Sequence, residues 1–167
     1  MPANFGIGCE LQGKVLGIWG YGKIGRVVAG YGRAFGMKVV VWGSEASREK
    51  ALQDGYGASP SREAFFEHCD VLSLHLRLSE STRNLIDQAD LARMKPTALL
   101  VNTARAELID TNTLIGALNR GRPGMAAVDV FDTEPVLQGH ALLRLENCIC
   151  TPHIGYVEQN NYETLFG

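Results

Sequence analysis

Short apolar runs alternate with stretches of helical period along most of this chain. Val15–Trp19 and Lys38–Trp42 are apolar runs of strand length, and residues 70–76, 97–102, 124–130 and 147–151 repeat the pattern, with a shorter candidate at 56–58. The 97–102 run has no polar face, as expected of a strand covered on both sides by helices. Between the first two runs, Ile24, Val27, Val28, Tyr31, Ala34 and Phe35 fall at i, i+3, i+4, i+7, i+10 and i+11. That spacing predicts an amphipathic helix ending at Gly36. Residues 46–53 predict a short exposed helix, 61–68 a helix capped by Ser61, and 88–94 a helix stopped by Lys95 and Pro96. Asp110 caps a further helix through Asn119, with Leu114, Ile115 and Leu118 inward and Gly121 closing it, while 78–86 reads as a polar loop. Strands alternating with helices predict an α/β fold: a doubly wound, mostly parallel Rossmann sheet with helices on both faces and right-handed connections.

The first strand runs into Gly20-Tyr21-Gly22-Lys23-Ile24-Gly25, a G-x-G-x-x-G turn inside a βαβ unit. Gly20 permits the tight turn, Gly22 lets the backbone approach a pyrophosphate, and Gly25 lets the helix pack close to the strand. The helix start then offers free N–H groups and partial positive charge to phosphates. A glycine-rich turn can be purely structural, but a strand before it and a helix after it favour a dinucleotide site.

Composition narrows the classes further. A chain of 167 residues, 46% hydrophobic and 20% charged, suits one globular domain with its own core. A net charge of −2 without a basic run gives no footprint for a nucleic-acid partner. No apolar run approaches the roughly 20 residues that span a bilayer, and the first residues lack a signal-peptide core, so no membrane partner is expected and the cytoplasm is the expected compartment. Cys9, Cys69, Cys148 and Cys150 sit in or beside apolar segments and read as reduced thiols. Cys148 and Cys150 have neither the spacing nor the second ligand pair of a zinc site, so no metal is expected.

Ligands of open α/β sheets bind off the carboxyl ends of the strands. Thr103-Ala104-Arg105 follows the fifth run, Phe131-Asp132-Thr133-Glu134-Pro135 the sixth, and Pro152-His153-Ile154-Gly155 the seventh. A cation, a carboxylate and an imidazole therefore converge on the sheet edge that carries the glycine turn. Hydride transfer between a nicotinamide and a 2-hydroxy acid needs a base for the hydroxyl proton, a cation for the carboxylate, and a group that orients the base. His153 fits the base, Arg105 the clamp, and Glu134 the partner that orients the imidazole and raises its pKa. Each also has a plainer reading, as a solvated arginine, a Glu-Pro turn and a structural histidine; their convergence favours chemistry. His75 also ends a strand, nearer the adenosine side, where a backbone or adenine-pocket role is expected. His68 and His140 read as structural or solvated.

These residues fall in motifs that resemble the D-isomer-specific 2-hydroxyacid dehydrogenases, the group that includes D-3-phosphoglycerate dehydrogenase and glyoxylate or hydroxypyruvate reductase. The motifs are LxGKxLGIxGxGxIG (11–25), DxxSLHLxL (70–78), MKPxAxLVNTAR (94–105), AxDVFxxEP (127–135) and TPHIG (151–155). The resemblance implies that Arg105 binds the substrate carboxylate, Glu134 pairs with the histidine and His153 is the acid/base. It also implies that Asp129 holds the nicotinamide carboxamide, Lys23 and Ile24 lie against the pyrophosphate, and Thr103, Ala104 and Gly155 line the nicotinamide end. The implied substrate is a small 2-hydroxy or 2-keto acid and the implied assembly a homodimer.

Three departures qualify it. The acidic residue usual after the second strand is missing, since the position reads Gly43-Ser44-Glu45, and Ser44 and Arg48 could receive a 2′-phosphate. NAD is expected, with NADP the alternative, because no basic pair directly follows that strand. Arg77 replaces the usual proline after LHL. Family members are also about twice this length. Residues 1–13 thus read as a lead-in or linker, 14–155 as the NAD(P)-binding domain, and 156–167 as the start of a returning helix, the substrate domain being absent. The competing function is a non-catalytic NAD(H)-binding sensor or interaction module of the same fold.

Overall fold

The computed structural model describes residues 8–166. The part of the expected lead-in at 1–7 lies outside the described residues. Seven strands, β1 (Val15–Trp19), β2 (Lys38–Trp42), β3 (Gly57–Ala58), β4 (Val71–Leu74), β5 (Leu99–Asn102), β6 (Met125–Val128) and β7 (Cys148–Cys150), form one sheet in the order β3-β2-β1-β4-β5-β6-β7. Every pairing is parallel. Chain order reverses between β1 and β4, where Leu16 faces Val71 and Trp19 faces Leu74, so the crevice beyond their carboxyl ends is the switch point of the doubly wound sheet.

Alternation along β2 shows how both faces are covered. Val39 and Val41 join one apolar cluster with Leu16, Ile18, Ala29 and Ala51, under α1 (Lys23–Ala34) and α2 (Glu45–Gln53). Val40 and Trp42 pack on the larger cluster opposite, which holds Phe65 and Phe66 of α3 (Arg62–His68), Leu91 of α4 (Gln88–Arg93), and Leu114 and Leu118 of α5 (Thr111–Asn119). The expected caps are present: Ser61 accepts from Ala64 N and Asp110 from Thr113 N, while Gly36 and Gly121 take positive φ after α1 and α5. A last helix, α6 (Gln159–Phe166), follows β7.

Two expectations are corrected. The helix predicted after the glycine turn exists, but its apolar stripe is not its buried face. Ile24, Val27, Tyr31 and Phe35 are 67%, 50%, 61% and 63% exposed, and α1 buries Gly25, Ala29 and Gly32 instead. The reason is close approach: a Cβ at Gly32 would stand 2.4 Å from Leu16 Cδ2. Small residues allow a helix to sit this near a sheet, and a hydrophobicity pattern does not register them. The 78–86 loop is also not wholly polar, because Ile86 is buried and bridges Ile109 in parallel. Beside it, buried Asp90 completes a capping box with Asp87 and receives the Arg62 guanidinium, tying α3 to α4.

Candidate active site

The glycine turn is shaped by what surrounds it. Gly20 has φ +99, and a Cβ there would meet the His75 carbonyl oxygen at 2.7 Å. A Cβ at Gly25 would lie 2.2 Å from Gly20 O, so the third glycine sets the distance between α1 and the turn. Gly22 differs from both, since a Cβ there would meet nothing within 4 Å. Packing does not require that glycine; a group approaching the bare peptide would. The helix start agrees. Ser44, Ser61, Asp87 and Asp110 cap α2, α3, α4 and α5 with side chains, whereas α1 begins at Gly22 with no side-chain cap and no acid in its first turn. Its first N–H groups, including those of Lys23 and Ile24, thus have no side-chain acceptor at the helix start, an arrangement that suits an anion. These features fit the pyrophosphate of a dinucleotide.

Tyr21, between the glycines, is anchored by donating to Asp54 Oδ2 at 3.0 Å. Burial, then that carboxylate, push its phenol up to about 12. Asp54 also pairs with Lys50 and Arg26, and with Lys23 they border a hollow of about 720 Å³ outside the helix start.

On the other side, Ile24, His75, Leu76, Arg77, Leu78, Thr103, Ala104 and Arg105 line a cleft of about 350 Å³. His75 thus shares a cleft with the expected nicotinamide-end residues Thr103 and Ala104. Its Nε2 lies 3.0 Å from Ser73 Oγ, and burial lowers its pKa. Arg105 is presented by a residue that the sequence patterns did not single out. Buried Asn102, at the end of β5, donates to Arg105 O at 2.9 Å and accepts from Ala104 N at 3.1 Å, so its amide shapes the turn. The Arg105 guanidinium is exposed and donates to Ala104 O.

The imidazole and carboxylate meet in the neighbouring hollow, about 420 Å³, with Phe131, Val136, Pro152 and Tyr156. His153 Nδ1 is 2.7 Å from Glu134 Oε2, and Glu134 Oε1 accepts from Phe131 N at 3.0 Å. Both carboxylate oxygens are therefore held. The His153 hydrogen bond, then the Phe131 N–H, keep the Glu134 carboxyl below its usual range, and Arg105 adds a weaker pull through space. That pull brings the arginine into the field of the pair. The Tyr156 ring meets the imidazole edge-on at 5.8 Å.

Asp129 fastens the loop that carries the histidine. Its Oδ1 accepts from Thr151 Oγ1 at 2.6 Å and Ile154 N at 2.9 Å, and its Oδ2 from Gly155 N at 2.8 Å. Burial works to raise its pKa, but these donors prevail and hold it below the ordinary aspartate range. A Cβ on Gly155 would come within 2.9 Å of Asp129 Oδ2, so glycine is needed for that approach. His153 has φ +53, a left-handed conformation uncommon outside glycine. The clamp on the next two residues keeps it there. The carboxylate expected at the nicotinamide carboxamide thus spends most of its acceptor capacity on the loop.

At the end of β2, Gly43 takes φ +151 and Ser44 caps α2, accepting from Ser47 N at 3.3 Å. Among the described residues no group of three or more His, Cys, Asp or Glu could hold a metal ion, and no helix is long and apolar enough to cross a membrane.

Residues 3–155 match the family model described as the D-isomer specific 2-hydroxyacid dehydrogenase, NAD binding domain. A glyoxylate reductase from Aeropyrum pernix is 43% identical over 148 residues, which cover 88% of this chain and 44% of the relative. A solved chain from Ralstonia solanacearum, provisionally named a D-3-phosphoglycerate dehydrogenase oxidoreductase, is 67% identical with a TM-score of 0.94, covering 99% of this chain and 48% of that one. The D-lactate dehydrogenase of Aquifex aeolicus, solved with NAD and lactic acid, is 34% identical with a TM-score of 0.78, covering 94% of this chain and 51% of that one. The chain thus spans about half the length of these relatives, or less.

Proposed function

The chain belongs to the D-isomer specific 2-hydroxyacid dehydrogenase family through its NAD-binding domain, and from that membership we propose that it is the cofactor half of an oxidoreductase moving hydride between NAD(P) and a D-2-hydroxy acid or its 2-keto partner. The observation that carries this reading is the 2.7 Å contact between His153 and Glu134, on a loop fastened by Asp129 at the strand ends near Arg105. The N–H groups of Lys23 and Ile24 beside Gly22 would hold the coenzyme, whose chemistry when bound would be to give or take the hydride.

The chain's own residues then divide the remaining work. Arg105 holds the substrate carboxylate with its planar fork. Glu134 occupies Nδ1 of His153, which leaves Nε2 to face the substrate oxygen. In the reducing direction Nε2 gives its proton to the carbonyl oxygen as that becomes a hydroxyl; in the oxidising direction it takes the hydroxyl proton. Glu134 fixes the ring by its hydrogen bond at Nδ1.

In this reading 14–155 is the nucleotide domain, 1–13 its linker, and 156–167, with α6, the start of the segment returning to a substrate domain. A homodimer, which rests on the family resemblance, and a cytoplasmic setting, which rests on four cysteines read as reduced thiols, belong to the same proposal. A non-catalytic sensor would need the coenzyme seat but not a paired imidazole and carboxylate. In the full-length protein, His153→Asn should lower kcat by roughly 10²- to 10⁴-fold while coenzyme affinity stays within about twofold. An unchanged kcat would reject the base assignment.

A further inference from the structure

We propose that the end of β2 and the first turn of α2 seat the 2′-phosphate of NADP(H), with Arg48 as the cation and Ser44 and Ser47 as hydroxyl donors, so that the domain takes the phosphorylated coenzyme in preference to NAD(H). This rests on the coenzyme site proposed above and specifies its adenosine end.

The location follows from the sheet. Gly20 N donates to Trp42 O at 3.2 Å, and a Cβ on Gly43 would stand 4.0 Å from Gly20 N, so Gly43 and Ser44 lie against the glycine turn. In a dinucleotide fold the adenosine ribose falls here, and a carboxylate at this point accepts from its hydroxyls and repels a phosphate. This chain has no carboxylate at Gly43 or Ser44. Glu45, the first residue of α2, is exposed and pairs with no cation among the described residues.

What stands there instead suits an anion. Ser44 Oγ donates to Ser47 Oγ at 3.0 Å and accepts from Ser47 N, which sets the two hydroxyls side by side and leaves the Ser47 proton free to donate outward. Arg48 lies one turn beyond Ser44 on the same helix face. Its guanidinium sits 4.9 Å over the Trp42 ring, a cation–π contact that fixes it at the end of β2. No carboxylate or carbonyl among the described residues accepts from it, and its Nε is buried without a hydrogen-bond partner. With Nε closed off against the protein, the two Nη groups are the donors an incoming anion would meet. The nearby cations are engaged elsewhere, Lys50 and Arg26 with Asp54. Arg77 lines the other cleft with Thr103 and Arg105. A guanidinium held by an aromatic ring, unpaired by the protein and one helical turn from a pair of hydroxyls, is matched by a phosphate monoester.

The test titrates the 167-residue chain with NADPH and NADH by fluorescence, and with adenosine 2′,5′-bisphosphate and adenosine 5′-monophosphate by calorimetry. The second pair differs only by the 2′-phosphate. The phosphorylated member of each pair should bind roughly 10- to 100-fold tighter at low salt, with the advantage shrinking as salt is added. Arg48→Gln should cost NADPH affinity at least about tenfold more than NADH affinity, and Arg48→Lys should restore part of the difference. Coenzyme-free melting temperatures identify any variant that merely unfolds. Equal binding of the two coenzymes, tighter NADH binding, or an equal loss of both on Arg48→Gln would overturn the seat. So would a selective loss of NADH on Glu45→Gln, which would assign this corner to the ribose hydroxyls. Failure of all four compounds to bind would overturn the coenzyme site itself.

Discussion

Asp129→Asn removes a charge without changing shape, and the structure sets out its cost. Asp129 is 5% exposed, and its carboxylate accepts from two donors on Oδ1 and one on Oδ2. An asparagine has one oxygen, so whichever way the amide turns, its NH₂ faces Gly155 N–H or Ile154 N–H. At least one charge-assisted hydrogen bond is lost, about 1.5–3 kcal/mol, and one backbone N–H is left facing a donor, about 1–3 kcal/mol. With partial relaxation the loop should loosen by roughly 2–4 kcal/mol, equivalent to roughly 30- to 1,000-fold in its opening equilibrium. Amide hydrogen exchange reads this directly: Ile154 and Gly155 should exchange faster by about that factor in the variant, while Ile18 and Leu72 in the sheet core change little. The same contacts make the loop pH-sensitive. A folded pKa held below the unfolded value contributes stability that is fully present above the unfolded pKa, near 4, and is lost as pH falls through the folded one. Acidification should therefore release the wild-type loop in the pH range below about 4 and have little effect on the variant's. Wild-type protection at Ile154 and Gly155 in Asp129→Asn would refute the clamp.

Two glycines of α1 separate packing from binding. Gly25→Ala and Gly32→Ala each place a Cβ in a forbidden contact, at 2.2 Å and 2.4 Å, so each should lower stability by about 1–3 kcal/mol in denaturant titration. Only Gly25→Ala displaces the glycine turn and should also abolish the thermal shift on adding coenzyme; an equal loss in Gly32→Ala would contradict that separation. Ultraviolet titration should place the Tyr21 phenol at about 12. Because the fold favours the neutral phenol, the Tyr21 contribution is complete below about pH 10 and declines as pH rises toward the folded value. An ordinary phenol titration would remove Asp54 as the anchor of the turn.

Strand and helix types, the glycine turn and the chemistry at three strand ends are legible in the sequence because they are local. A five-residue apolar run, a Ser or Asp before a helix, and a G-x-G-x-x-G spacing act through neighbours within a turn or two of the chain. His153, Glu134 and Arg105 could be picked out because a parallel sheet sends every strand's carboxyl end to one edge, whatever the strand order. What the sequence does not carry is which groups meet across that edge. The face that α1 turns inward depends on Gly25 and Gly32 fitting against Gly20 and Leu16, and a residue without a side chain is silent in a hydrophobic pattern. The use of Asp129 as a clamp depends on β6 and β7 being neighbours, and the lack of a carboxylate partner for Arg48 depends on everything that packs around α2. Periodicity along the chain thus determined the elements and their polarity, and the sheet order determined the partners, because hydrogen bonds and excluded volume act through space between residues that the chain keeps far apart.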